Sequence, residues 1–409
     1  MFGFVDNVQV DLVVNGRPQG QVGERLARVS YDPGLMRPMI MEDGYRCCWV
    51  ANGKQRVENG KPVFNAAGHP VPDREPIELA RLVNSGLCPP IYNTSALPYQ
   101  AWQRIDTAVT RASRDRLQAW NDLAAANTYG GFNGMAVTAL IKDTMTDPGD
   151  AKVDMDKMTD DLNDSSTFTP DVLPLPIIHA GFSLGPRLLA MARNAGMPLD
   201  TSNAESCGRR CAETLEKMTI GIVDYSGLTM DPNSQFTNAG IYGFRTQPDR
   251  ITKTDLTASA SFVPSTFVDE VIAMKELARA QNFYGPFKLY YSTTWDQYMA
   301  RDYYKQVTAV GVIAPTGTVL QRVQQIAGIT GVQMLDYFTN TDELLLVQMN
   351  AEVVRAVDGM DWTPVQYDIP GGNGMVYRVM GIKVPDLRSQ YVGTSTSTRK
   401  CGIVHATTS

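Results

Sequence analysis

Between Asp200 and Ile222 apolar residues recur every three or four positions. Ala204, Cys207, Cys211, Leu215, Met218 and Ile222 form one stripe. Arg209, Arg210, Glu213, Glu216 and Lys217 fall on the other side, with Arg209–Glu213 and Glu213–Lys217 four residues apart. Ser202 with Glu205 three positions later reads as a capping box, so a helix is expected over 202–222. At 1.5 Å per residue it would be about 30 Å long, enough to span a domain. It reads as a scaffold helix, with nothing on it arranged for catalysis.

The pattern before it changes twice. Residues 1–97 carry hairpin signals and little helical periodicity. Val8, Val10, Leu12 and Val14 alternate before Asn15-Gly16, and Asn52-Gly53 and Asn59-Gly60 suggest a three-stranded meander. Pro-punctuated stretches such as 69–76 and 88–98 separate these strands, so the region reads as a β-rich arm that must lie on something else. From Pro98 the period becomes helical, with Trp102, Ile105, Val109, Ala112, Leu117 and Trp120 in phase and Tyr129-Gly130-Gly131 as the stop.

Two strand-like runs then enclose a polar middle. Between Asp143 and Asp171 stand nine aspartates and no glutamate. This reads as a projecting two-stranded loop that finds its packing on a neighbour. After the long helix, a turn-rich section leads to a helix over about 264–281, with Phe267, Val271, Met274 and Ala278 on one stripe. Alternating strands and helices follow, predicting a compact α/β lobe over 225–365. A period-2 strand from Met375 to Val384 comes next, and the end of the chain, 391–409, is polar and reads as a peripheral tail.

Composition narrows the classes. A chain of 409 residues with 43% apolar and 20% charged residues can bury a substantial core. Net charge is −6 and the pI about 5.3, which lacks the basic footprint of a dedicated nucleic-acid binder. The start lacks the regions of a signal peptide, Met1 gives no hint of a removed propeptide, and no apolar run reaches membrane-spanning length. The six cysteines form no C-x-x-C pair, so reduced thiols are expected; Cys207 and Cys211 read as small apolar residues rather than metal ligands.

One motif resembles a catalytic one. Gly181-Phe182-Ser183-Leu184-Gly185 matches G-x-S-x-G between a strand-like and a helix-like run, the context of a nucleophile elbow. The only histidine downstream is His405, in the polar tail, and none of His69, His179 and His405 forms a plausible dyad. A serine hydrolase using Ser183 is therefore a distant alternative. Asp154-x-Asp156 opens like an EF-hand but lacks its Gly and Glu. No catalytic, cofactor-binding or metal site is expected.

The order of elements is informative. Leu97, Trp102, Ile105 and Asp106 resemble the opening of the N-terminal helix of encapsulins, the linocin-type bacteriocin family. Leu173, Pro174, Leu175, Phe182, Leu184, Leu199, Asp200 and Glu216 are similar to that family's core. The resemblance runs from about 97 to 390 and is strongest over 97–120 and 173–222. It implies an α+β chain with the HK97-like capsid fold shared with tailed-phage capsid proteins. In that plan 1–97 is the N-terminal arm, 98–141 the N-terminal helix region and 142–178 the extended loop (E-loop). The peripheral P-domain comprises 179–224 and 366–390 with the spine helix, the axial A-domain is 225–365, and 391–409 is a tail.

The resemblance further implies a major capsid protein that forms hexamers and pentamers of an icosahedral shell, enclosing double-stranded DNA without sequence-specific binding. Portal, scaffolding or cement proteins would be its partners. It would reside in the virion after assembly in a bacterial cytoplasm, with no membrane role. An encapsulin-type compartment enclosing protein cargo is the alternative. The roughly 95 residues before the family's first helix, and the tail, favour the phage capsid. Lys142, Lys152 and Lys157 stand where some capsids of this fold crosslink.

Overall fold

The computed structural model describes residues 13–14, 17–18, 37–58, 61–62, 72–84, 97–114, 117–132, 134–146, 155, 167–185, 201–223, 225, 240–303, 317–338, 342–368, 375–392 and 398–408. The expectations that rest on Lys152, Asp154, Asp156, Lys157, the run 186–196, Leu199 and Asp200 lie outside these residues.

At the N-terminal end, β1 (Val13–Val14) and β2 (Arg17–Pro18) pair antiparallel, and the dipeptide Asn15-Gly16 expected to turn lies outside the described residues. Next come β3 (Met39–Ile40), β4 (Arg46–Gln55), β5 (Val57–Glu58), β6 (Lys61–Pro62) and β7 (Pro72–Glu78). β5 and β6 pair antiparallel to either side of Asn59-Gly60, which lies outside the described residues, whereas β4 runs through Asn52-Gly53. The reason is its partner: β7 pairs with β4 on both sides of that dipeptide, at Ala51↔Arg74 and Gln55↔Pro72. A ladder outweighs a turn propensity. After α1 (Leu79–Asn84), β8 (Leu97–Pro98) completes a sheet ordered β7-β4-β3-β8.

The helical run after Pro98 is two helices, α2 (Tyr99–Arg114) and α3 (Ala119–Ala126). Trp102, Ile105 and Val109 are buried as their spacing predicts. They also fasten the arm: Trp102 Nε1 donates to Pro38 O at 3.0 Å, and Arg37 reaches Asp106 at 2.6 Å. The expected stop at Tyr129 is instead β9 (Thr128–Gly130), parallel to a strand from much later in the chain.

A hairpin of β10 (Ala139–Met145) and β11 (Phe168–Pro174) follows, then β12 (Ile178–Leu184) and the long helix α4 (Ser202–Ile220). The stripe Ala204, Cys207, Cys211, Leu215 and Met218 is buried. The expected capping box does not form. Thr201 is the N-cap, its backbone is already near-helical (φ −94°, ψ −3°), and its side chain makes no capping bond. At the other end Gly221 takes the left-handed conformation (φ +84°) that closes the helix, two residues short of 222.

The lobe holds β13 (Ile251–Lys253), α5 (Pro264–Ala280), β14 (Phe287–Tyr291), α6 (Asp296–Met299), α7 (Val319–Gln324), β15 (Ile329–Met334) and β16 (Glu343–Gln348). The chain then leaves it. β17 (Val354–Asp368) and β18 (Met375–Leu387) form a long antiparallel pair in a second sheet, ordered β12-β18-β17-β9, on which α4 lies. Residues 354–365, expected in the lobe, therefore belong to this second sheet. α2 lies against α4 so closely that a Cβ on Gly208 would stand 3.0 Å from Val109 O.

The end of the chain is not a peripheral tail. β19 (Ser389–Tyr391) pairs with β20 (Arg399–Cys401), and β21 (Ile403–Thr407) enters the lobe sheet, ordered β13-β21-β16-β14-β15. Ile403, Val404 and Ala406 are buried there. A strand of five residues soon after the Ser/Thr run 394–398 leaves little trace in composition, yet inside a sheet every backbone group finds a partner.

Candidate functional site

Ser183 sits inside β12, opposite Val376, not on a strand-to-helix turn. His405 is on β21 in the other sheet, where its Nε2 bonds Glu343 Oε2 at 2.7 Å and its Nδ1 accepts from Arg250 Nε at 3.3 Å. Arg245 adds two 2.8 Å bonds to the same carboxylate. Burial disfavours the Glu343 charge, but His405 and Arg245 outweigh it and hold the carboxyl below its usual range. His405 thus packs within the lobe, and the nucleophile-elbow resemblance loses its geometry. Among the described residues no group of three or more His, Cys, Asp or Glu side chains is placed to hold a metal. Cys207 and Cys211 are buried thiols; burial first, then the neighbouring Cys207, pushes Cys211 up to about 12.

The feature that stands apart is the hairpin of β10 and β11. Seven residue pairs hold it, from Ala139↔Pro174 to Met145↔Phe168. Alternation puts Ile141, Asp143 and Met145 on one face with Phe168, Pro170 and Val172 opposite them. That face looks outward: Ile141 is 67% exposed, Met145 50% and Phe168 65%. Leu140 and Leu173 at the base, then Lys142, Thr144, Thr169 and Asp171, occupy the other face, turned to the protein. Beyond that leucine pair the usual polarity of a surface hairpin is inverted.

The inner face is fixed by charge. Lys142 Nζ contacts Asp386 Oδ1 near the end of β18, and Arg355 of β17 binds the other oxygen at 2.7 and 3.0 Å. Asp386 is fully buried; burial opposes its charge, yet Lys142 and Arg355 together keep the carboxyl below the usual range. On the second strand Arg399 forks onto Asp171, and Thr169 Oγ1 meets Tyr391 OH at 3.0 Å. Lys142, singled out for crosslinking, is occupied in this ion pair.

Glu216, assigned by its spacing to the polar side of α4, is the functional residue that periodicity misplaces. Its carboxylate accepts from Ala119 N at 2.6 Å and Trp120 N at 3.1 Å, the free N–H groups that open α3. Burial outweighs those bonds and raises its pKa to about 7. From α3, Asp122 accepts from Tyr290 OH at 2.8 Å and pairs with Lys288 at 2.6 Å, so helices and lobe are joined through this carboxylate. The position of Glu216 near the helix end in the encapsulin resemblance was the one available signal.

The arm pinned on α2, the hairpin laid against the ends of β18 to β20, the long helix on its sheet and the separate five-stranded lobe together define an α+β chain with the HK97-type shell fold. A virus-like particle protein from Pyrococcus furiosus has this fold at 13% identity and TM-score 0.50, over 75% of this chain and 98% of that one. The capsid of Myoviridae phage XM1 aligns at 12% identity and TM-score 0.47, over 70% and 91% of the two chains. By sequence the chain belongs to the family described as a family of unknown function (DUF6260), whose profile matches residues 93–370. No curated protein sequence matches it. Among the described residues no helix is long and apolar enough to cross a membrane.

Proposed function

We propose that this chain is the major capsid protein of a tailed bacteriophage, assembling into hexamers and pentamers of a closed icosahedral shell around double-stranded DNA. The inverted hairpin carries the reading. A side-by-side set of Ile141, Met145 and Phe168 facing water is unfavourable at about 25 cal/mol per Å² of apolar surface, whereas a sister copy laid over it recovers that energy. Summed over many copies, such modest burials close a shell, and closed symmetry leaves no free edge. In this reading the peripheral domain is the sheet β12-β18-β17-β9 with α4, and the lobe is the axial domain. The role is structural, without catalysis. The acidic balance suits DNA held inside without tight adhesion.

Electron microscopy of the purified recombinant chain is the direct test. Closed icosahedral particles are expected, and a protein that stays monomeric at all concentrations refutes the shell reading. An encapsulin-type compartment is the second reading, favoured by the match of Leu97, Trp102, Ile105 and Asp106 to that family's first helix. Nuclease-protected DNA in particles from the native host supports the capsid; enclosed protein cargo supports the compartment.

A further inference from the structure

The C-terminal strands end where the hairpin begins. β20 puts Arg399 against Asp171 of β11, with Nη1 to Oδ1 at 3.0 Å and a second bond from Nη2 to Oδ2. Thr144 of β10 donates to Asp171 Oδ2 at 3.1 Å and lies 3.5 Å from Arg399 Nη2, so one guanidinium addresses both strands. The other side of Arg399 faces Asp249 Oδ2 at 3.6 Å, and its plane lies over Tyr391 at 5.6 Å. Asp171 and Arg399 are almost wholly buried, at 4% and 11% side-chain exposure, so water screens this pair little. Burial disfavours the Arg399 charge, but Asp171 and Asp249 more than offset it.

Arg399 is also held from its own side. The next residues thread into the lobe: Cys401 N donates to Asp249 O at 2.9 Å, and Ile403–Thr407 pair with β16 and β13. The junction encloses a cavity of about 30 Å³, lined by Lys142, Asp171, Gln247, Asp249, Asp386 and Arg399. Gln247 Oε1 has no hydrogen-bond partner among the described residues. Leu140 and Leu173 seat the hairpin base on the core, and beyond them its inner face is held by charged contacts. Two of those contacts, Lys142–Asp386 and Asp171–Arg399, fall one on each strand, at residues directly paired in the register.

We infer that Arg399 is the positioning residue of the hairpin: it fixes the hairpin's angle to the body, and it does so only once β21 has been built into the lobe. Presentation of the assembly loop is thereby tied to completion of the chain. The inference rests on the shell reading for its consequence, but its physical core concerns the isolated chain.

Hydrogen–deuterium exchange on the soluble full-length protein tests that core. Arg399→Ala is expected to speed exchange of the 139–146 and 167–174 amides by about tenfold or more, the scale of one charge-assisted pair, with lobe protection retained. If Arg399→Ala fails to fold, Asp171→Asn reads the same bond from the hairpin side without touching the lobe. Exchange unchanged in a folded variant overturns the inference. Exchanging the charges, Asp171→Arg with Arg399→Asp, is expected to restore at least part of the protection, as lost packing alone would not. Particle yield by electron microscopy completes the test: Asp171→Asn is expected to form far fewer closed particles than wild type. Normal yield with a loosened hairpin overturns the assembly role. Wild-type protein that forms no particles refutes the shell reading, while the exchange result still decides the positioning claim.

Discussion

At the scale of single residues, Glu216 and Leu215 sit side by side on α4 and do opposite work. Leu215 is fully buried in the stripe. Leu215→Asp puts a carboxylate there with no partner, at a cost of more than about 4 kcal/mol, and is expected to abolish the folded state. Soluble mutant protein with a normal thermal transition would refute burial of that stripe. Glu216 is a carboxylate already buried, and two N–H groups do not fully compensate it. Its folded pKa of about 7 lies above the ordinary 4.5, so the native state binds its proton more readily than the unfolded chain. Its contribution is therefore most favourable below the unfolded pKa and is lost as pH rises through about 7, a swing on the order of 3 kcal/mol. Glu216→Gln keeps one acceptor and no charge. Its melting temperature is expected to vary less between pH 5 and 8 than that of wild type; identical profiles would show that Glu216 is not the titrating group.

At the scale of elements, the hairpin is the piece whose removal should separate folding from assembly. Its outward residues Ile141, Met145 and Phe168 are half or more exposed, so deleting 143–172 is expected to leave soluble monomers or small oligomers that form no closed shells. Sedimentation and electron microscopy read both properties, and normal shells would contradict the assignment of the loop. Elements of this kind were legible because they rest on local period. The stripe of α4, the α2 positions Trp102, Ile105 and Val109, and the two strands enclosing the acidic loop all follow from spacing. What was not legible depends on partners far away in the chain. Asn52-Gly53 fails to turn because β7 pairs across it, and Glu216 faces inward because α3 opens against it. The inverted polarity of β10 and β11 was equally hidden, since alternation fixes two faces but not which one looks outward.

At the scale of the whole molecule, the two segments outside the encapsulin resemblance are attached in different ways. The arm is held against α2 by side chains: Arg37–Asp106, the buried Trp102–Pro38 bond, and Met39 and Cys47 packed into the same core. The C-terminal segment is part of a core. β21 lies between β13 and β16, with Leu345 opposite His405 and Ile251 opposite Val404. Losing it would strand the hydrogen-bonding edges of two strands and uncover Leu344 and Leu346, which are fully buried. Summed over five residues, this approaches the roughly 5–15 kcal/mol that hold an ordinary domain together. Truncation after residue 398 is therefore expected to remove the lobe's cooperative transition. Limited proteolysis should then cut first within 250–348, whereas removal of residues 1–36 should leave the lobe resistant. A truncated chain that melts as sharply as wild type would show that β21 is dispensable and that the lobe is complete without the last residues of the chain.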